Sequence, residues 1–171
     1  MIAYLNGEFK VKNPAYFIVE CNGVGYQVNI SLNTFSKLQT LDKGKIHTYL
    51  HIREDAQILY GFADESEKNL FISLISVQGV GTIMARMILS SMSPADLEEA
   101  IRTENDVLIQ RIKGVGPKTA KRLVIDLKDK IGKGAGATEN SFGFGHNTMK
   151  EEALSALAML GFTRQQGEKA I

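Results

Sequence analysis

Val77-Gln78-Gly79-Val80-Gly81-Thr82-Ile83-Met84-Ala85-Arg86 and Ile112-Lys113-Gly114-Val115-Gly116-Pro117-Lys118-Thr119-Ala120-Lys121 are two copies of one design. Each reads apolar, polar, Gly, Val, Gly, with Ala six positions after the first Gly, and Gly114 follows Gly79 by 114 − 79 = 35 positions. An apolar run precedes each pair of glycines and a helix-like pattern follows it, so each copy is expected to be two short helices joined by a hairpin. The apolar residue between the glycines should pack inward, and Ala should let the two helices approach closely. Glycine leaves backbone N–H groups bare at the start of the second helix. A helix N-terminus carries partial positive charge and unpaired donors, which suits a phosphate oxygen.

One Gly-x-Gly has a purely conformational explanation, since tight turns favour glycine. Two copies in one frame ask for a repeated ligand feature, and successive phosphates of a nucleic-acid backbone supply it. The arrangement resembles the tandem helix-hairpin-helix pattern of non-sequence-specific DNA-binding proteins. The expected contacts are Gly79, Val80, Gly81 and Arg86 in the first hairpin, and Gly114, Val115, Gly116, Lys118, Thr119, Lys121 and Arg122 in the second.

Charge distribution points the same way. With 20 Lys and Arg against 19 Asp and Glu, the chain is almost neutral overall, which by itself speaks against a general nucleic-acid binder. Segment 111–130, however, holds seven cations against Asp126 and Asp129, a balance of 7 − 2 = +5. The excess sits on the second hairpin. A solvated helix face is the plain alternative.

Working outward, residues 1–62 read as strands and turns. Phe17, Val19 and Cys21 alternate with other residues, Gly23-Val24-Gly25 interrupts, and Tyr26, Val28 and Ile30 alternate again. Ile46, Thr48, Leu50 and Ile52 should face one way and His47, Tyr49 and His51 the other, and 56–62 supplies a last strand. Five or six short strands in so few residues suggest a small OB-fold barrel. From Asp64 the period becomes helical: Leu70, Phe71, Leu74 and Ile75 form one stripe, Ile83, Met87 and Ile88 the next, and Leu123, Ile125 and Leu127 close the long helix of the second hairpin. Ser93-Pro94 is a helix start, with Ser93 as N-cap. Glycine-rich 132–147 reads as a flexible linker. Helices resume at Thr148, where Thr148 and Glu151 form a capping box; Leu154, Leu157 and Leu160 make an apolar face, Gly161 ends the helix before Phe162, and Thr163 and Gln166 start another.

The expected organisation is therefore α+β and multi-domain: an N-terminal OB-fold barrel (1–62), a central all-α tandem helix-hairpin-helix domain (63–131), a linker (132–147) and a small C-terminal helical domain (148–171). A single cysteine, Cys21, excludes an internal disulfide and fits a reducing compartment; it is expected to pack in the barrel. Met84, Met87 and Met92 read as core. No stretch approaches membrane-spanning length and the N-terminus lacks a signal pattern, so a soluble, cytoplasmic protein is expected. His47, His51 and His146 lack partners at metal-ligand spacing, so no metal is expected. No GxxxxGK[ST] loop is present, so ATP would be handled by a partner and no cofactor is expected.

The order of parts and several strings resemble the RuvA family of Holliday junction branch-migration proteins. The strings are MIAYLNG at the start, Gly23-Val24-Gly25-Tyr26, the run from Arg53-Glu54-Asp55-Ala56 into Leu59-Tyr60-Gly61-Phe62, the two hairpins, and Ile88-Leu89-Ser90-Ser91-Met92-Ser93. The resemblance implies a non-catalytic homotetramer that holds a four-way DNA junction open, as one or two tetramers per junction, in recombination and repair. It also implies a third domain that engages the hexameric ATPase RuvB through Leu154, Leu157, Leu160 and Phe162, and a larger complex with the resolvase RuvC. Glu54 and Asp55 match the family's acidic pin at the junction centre; by sequence alone they read as an exposed acidic turn. Two departures stand out. Thr82-Ile83 occupies the place of Pro117-Lys118, so the first hairpin lacks one cation and relies on backbone amides and Arg86. The family also carries a further helix beyond the position of Ile171, so the third domain is expected to be incomplete and its motor binding is left open.

Two rival functions stay open at this point. A helix-hairpin-helix glycosylase or lyase would use Lys118 but also needs an aspartate past the following helix, where this chain has 132–137. A single-strand-binding OB protein would need aromatic stacking platforms on the barrel and gives no reason for duplicated hairpins.

Overall fold

A computed structural model describes the backbone of residues 1–134 and the side chains of residues 1–128, together with Leu154, Leu157 and Gln166. Alternating apolar residues build five strands, β1 (Tyr4–Asn13), β2 (Tyr16–Cys21), β3 (Val24–Ile30), β4 (Lys43–Ile52) and β5 (Gln57–Phe62). They close in the order β1-β2-β3-β5-β4, with β1 pairing antiparallel to β4 and β3 parallel to β5, which is the OB-type barrel expected. Leu5, Phe9, Phe17, Val19, Val28, Ile30, Ile46 and Leu59 fill it. Cys21 is half-buried beside this core, and its thiol donates to the Asn6 carbonyl. Strand β4 leaves the core at its end, where Ile52 is exposed ahead of the acidic turn.

The strand-and-turn reading of 1–62 missed a helix, α1 (Leu32–Leu38), between β3 and β4. Ser31 caps it by accepting from the Thr34 amide at 3.0 Å. Seven residues are too few to show a helical period, although the Ser31 cap was a visible signal.

The rest of the described chain is helical: α2 (Glu65–Ile75), α3 (Thr82–Ser91), α4 (Pro94–Arg102), α5 (Asp106–Gln110) and α6 (Pro117–Gly134). Ser93 caps α4 as expected, with Pro94 in the first turn. Helix α6 runs to Gly134, past the expected linker start at 132, because Lys133 and the flanking glycines follow an uninterrupted helix without a proline to stop it. By compactness the chain divides into Met1–Ala137 and Thr138–Ile171. The capping box at Thr148 and the helix end at Gly161 lie outside the described residues.

Barrel and helices are joined by β5, which is buried on both faces. Leu59 points into the barrel, whereas Tyr60 and Phe62 belong to the helical core and pack on Phe71 at ring-centroid distances of 5.1 and 5.0 Å. Tyr49 on β4 reaches the same ring at 5.6 Å. Beneath this contact lies a buried polar cluster: the Ser31 hydroxyl donates to Glu67, and the Thr34 hydroxyl donates to the other Glu67 oxygen at 2.7 Å while accepting from the Ala63 amide.

The helical core repeats with the sequence. Leu74, Val77, Val80, Ala85, Ile88 and Leu89 are all buried, and so are Ile109, Ile112, Val115, Ala120, Leu123 and Val124, one repeat later. This corrects two expected stripes. Ile83 is 68% exposed and Ile125 65% exposed, so neither is core. The buried faces run through Ala85, Ile88 and Leu89, and through Leu123, Val124 and Leu127, because those positions face the partner helix.

Candidate nucleic-acid interface

The two hairpins have the same backbone. Gly79 and Gly114 sit at φ +93° and +89°, a left-handed conformation that L side chains avoid. The next amide turns back in each case, Val80 to Val77 O and Val115 to Ile112 O, both at 3.0 Å. The valines are buried, as the pattern required. The second arm of each hairpin then begins with the same bond, Ala85 to Gly81 O and Ala120 to Gly116 O, both at 2.9 Å.

Capping separates these helices from their neighbours. Helices α1, α2, α4 and α5 are each closed by a side-chain oxygen, from Ser31, Asp64, Ser93 and Asn105. Helix α3 begins at Gly81 with no side-chain cap. Its first amides, on Thr82, Ile83 and Met84, have no partner within the helix. Gly116 holds the matching position ahead of α6, and a Cβ built on Gly81 or Gly116 meets nothing within 4 Å. Each helix therefore presents open space in front of a positive dipole end.

The side chains around this shared backbone differ. Lys118, Lys121 and Arg122 are exposed on α6 and Thr119 is half-buried there. Arg86, the remaining cation expected in hairpin 1, is turned to the barrel: its guanidinium donates to Ala15 O at 3.2 Å and Asn29 Oδ1 at 3.3 Å. That engagement clamps α3 to the barrel through Nη1. It is one of several ties between α3 and the barrel that the sequence did not reveal. The Tyr60 hydroxyl donates to Thr82 Oγ1 at 2.9 Å, at the mouth of hairpin 1. The Asn33 amide donates to the carbonyls of Leu89 and Met92 at the other end of the helix. The hairpins also touch each other. Arg122 Nη2 donates to Gln78 Oε1 at 2.6 Å, and the Met87 Cε methyl lies 3.1 Å from the Cβ position of Gly114. The two hairpins thus lie side by side.

Glu54 and Asp55 are exposed at the tip of the β4–β5 turn, which the Arg53 amide closes onto Ala56 O at 2.8 Å. Arg53 Nε lies 3.6 Å from Asp55 Oδ1. Of the apolar face expected in the third domain, Leu154 is buried and Leu157 half-buried, both helical; Leu160 and Phe162 lie outside the described residues. Among the described residues no cluster of three metal-ligating side chains occurs, and no helix is long and apolar enough to cross a membrane.

Comparison with known families accounts for both halves of this arrangement. Residues 1–61 match the RuvA N terminal domain and residues 71–129 match the SAM-like helix-hairpin-helix tandem. A Christiangramia forsetii protein named Holliday junction branch migration complex subunit RuvA is 50% identical over 171 residues, covering 100% of this chain and 88% of that protein. The chain belongs to the RuvA family. Proteins of the same name from Cytophaga hutchinsonii and Bacteroides fragilis are 46% and 48% identical, covering 99% and 100% of this chain and 87% and 89% of theirs. The RuvA-family assignment covers the barrel, both hairpins and the region beyond α6, and it disfavours the glycosylase and single-strand-binding readings.

Proposed function

We propose that this chain is the DNA-binding subunit of a Holliday junction branch-migration complex and is itself non-catalytic. The observation that carries the reading is the pair of adjacent hairpins whose second helices start behind the open glycines Gly81 and Gly116, the first of them with no side-chain cap. Each offers amides to one phosphate of a DNA backbone without reading bases, which gives binding by shape rather than sequence. Gly79, Val80, Gly81, Gly114, Val115 and Gly116 form the hooks, with Lys118, Thr119, Lys121 and Arg122 around them.

One barrel with two hooks reaches only a sector of a four-armed ligand, so a homotetramer with closed symmetry repeats the contact around the junction. Glu54 and Asp55, near that axis, repel phosphates and keep the arms apart. ATP-driven movement comes from the hexameric RuvB motor, engaged by the domain at 148–171 through Leu154, Leu157, Leu160 and Phe162, and RuvC joins for resolution. The setting is cytoplasmic recombination and repair, and the subunit needs no cofactor. Titrating four-way, duplex and single-stranded DNA of matched sequence tests this: four-way DNA should bind tightest, and equal affinity for duplex and four-way DNA refutes it.

A further inference from the structure

Shifting hairpin 1 by the repeat of 114 − 79 = 35 positions pairs Gln78 with Lys113, Ile83 with Lys118 and Met87 with Arg122. At each of these pairs hairpin 2 is cationic and hairpin 1 is neutral. The cation that hairpin 1 does hold, Arg86, turns its Nη1 to Ala15 and Asn29 on the barrel. Hairpin 1 therefore has no cation at the place where Lys118 flanks hairpin 2.

The contacts between hairpins supply what is missing. Met87 and Arg122 occupy equivalent positions on α3 and α6, and each crosses to the other hairpin. Met87 touches Gly114, and Arg122 bonds Gln78, the residue before Gly79. The two contacts start from equivalent positions and run in opposite directions between the hairpins. Arg122 thus stands at the loop of hairpin 1 although its sequence position places it in hairpin 2. Its side chain is partly exposed, with Asp126 Oδ2 3.9 Å from Nε. Gln78 accepts from one guanidinium nitrogen, and the planar fork has further N–H groups for a phosphate beside the loop.

We infer that Arg122 is the phosphate-binding cation of hairpin 1, delivered from α6 across the contact between the hairpins, while Lys118 serves hairpin 2. Each hook then has one cation of its own, and Gln78 is the positioning residue that aims Arg122. The inference rests on the reading of both hairpins as phosphate hooks.

The test uses the full-length chain and four-way junctions in which single phosphates of one arm are replaced by neutral methylphosphonates. Wild-type protein should lose affinity at two separate positions. Arg122→Met should abolish the response at one of them and Lys118→Met at the other. Each variant should have a salt dependence shallower by about 0.9, so that a fourfold rise in salt costs it about 3.5-fold less affinity than it costs wild type. Adding Ile83→Lys to Arg122→Met should restore the response at the position that Arg122→Met silenced. If Arg122→Met itself melts early, Ile83→Lys alone should steepen the salt dependence by the same amount. The inference is overturned if Arg122→Met and Lys118→Met silence the same phosphate, or if Ile83→Lys neither restores nor steepens. A wild-type protein indifferent to every neutralised phosphate refutes the hook reading itself.

Discussion

Substituting alanine for the two glycines of one hairpin should produce opposite phenotypes, because the glycines do different physical jobs. Gly114 stands at φ +89°, where an L residue costs about 1–2 kcal/mol, and its Cβ would press on the Met87 Cε methyl at 3.1 Å, the end of a side chain that can swing away. Gly114→Ala should therefore lower folding stability by about 1–2 kcal/mol. Gly116 has neither constraint: its Cβ meets nothing within 4 Å. Replacing a glycine by alanine ahead of a helix loses about 0.5–1 kcal/mol in capping, and restricting the unfolded chain returns about 0.4–1 kcal/mol. Gly116→Ala should fold with essentially wild-type stability. Its methyl, however, occupies the space ahead of the α6 amides. Losing one hydrogen bond to a charged oxygen costs about 1.5–3 kcal/mol, or roughly tenfold to more than a hundredfold in affinity at a single site. Urea unfolding and fluorescence-anisotropy titration of a labelled four-way junction measure the two effects separately. Full junction affinity in a normally folded Gly116→Ala protein would show that no phosphate occupies this space.

Three further outcomes are expected. Glu54→Gln with Asp55→Asn should tighten duplex binding and reduce the preference for four-way DNA, most clearly at ~0.01 M salt, where the screening length is about 30 Å; an unaltered preference at low salt leaves the pair as ordinary surface carboxylates. Tyr60→Phe removes the hydroxyl that holds Thr82 and should cost about 1 kcal/mol in urea unfolding while weakening junction binding through hairpin 1; wild-type values for both would remove this anchor. Burial raises the Glu67 carboxyl above its ordinary 4.5, with the Ser31 and Thr34 hydroxyls opposing and the Asp64 charge adding, so its contribution to stability is full below pH 4.5 and is lost as pH rises through the folded value. Glu67→Gln should flatten the decline in melting temperature from pH 4.5 to neutrality, and an unchanged slope would refute it. Asp64 acts in the opposite sense: burial raises its carboxyl, but bonds from Lys37, Ser66 and the Glu67 amide outweigh it and hold the group at about 2, so its share is lost only as pH falls from 3.8 toward 2.

What was legible in the sequence follows from what local chemistry encodes. The duplicated hairpins were readable because Val80 and Val115, and Ala85 and Ala120, are buried twice in the same way, and burial restricts residue type. The barrel was readable through its period of two. The apolar stripes at Ile83 and Ile125 misled because helical spacing identifies a face without saying which face meets a neighbour; both isoleucines lie on the outer one. Arg86 could not be assigned from sequence either. Its partners are 71 and 57 residues away, and one of them is a backbone carbonyl that carries no residue signature at all. The same holds for Tyr60 with Thr82, and for Arg122 with Gln78 across 44 residues. Local pattern revealed the hairpins, and only the fold revealed what holds them.

Repeating one hairpin with two different surfaces separates grip from placement. On the proposed function the grip lies in backbone amides and the helix dipole, which any sequence permitting the turn provides, so the surface of each copy is free to serve another purpose. In hairpin 1 that purpose is attachment to the barrel: Thr82 takes the Tyr60 hydroxyl, Arg86 takes Ala15 and Asn29, and Asn33 closes the far end of α3. Proline at position 82, as in hairpin 2, would have no hydroxyl to give Tyr60. The place of Lys118 falls at Ile83, the residue after that bond. Hairpin 2 has no such duty and carries Pro117 and Lys118 instead. Since the acidic turn of Glu54 and Asp55 joins β4 and β5 of the same barrel, these ties, on the proposed function, also fix the distance between a phosphate hook and a repulsive tip. Selecting a branched DNA over a straight one requires that distance to be constant, which a hairpin attached only by its own helices could not ensure.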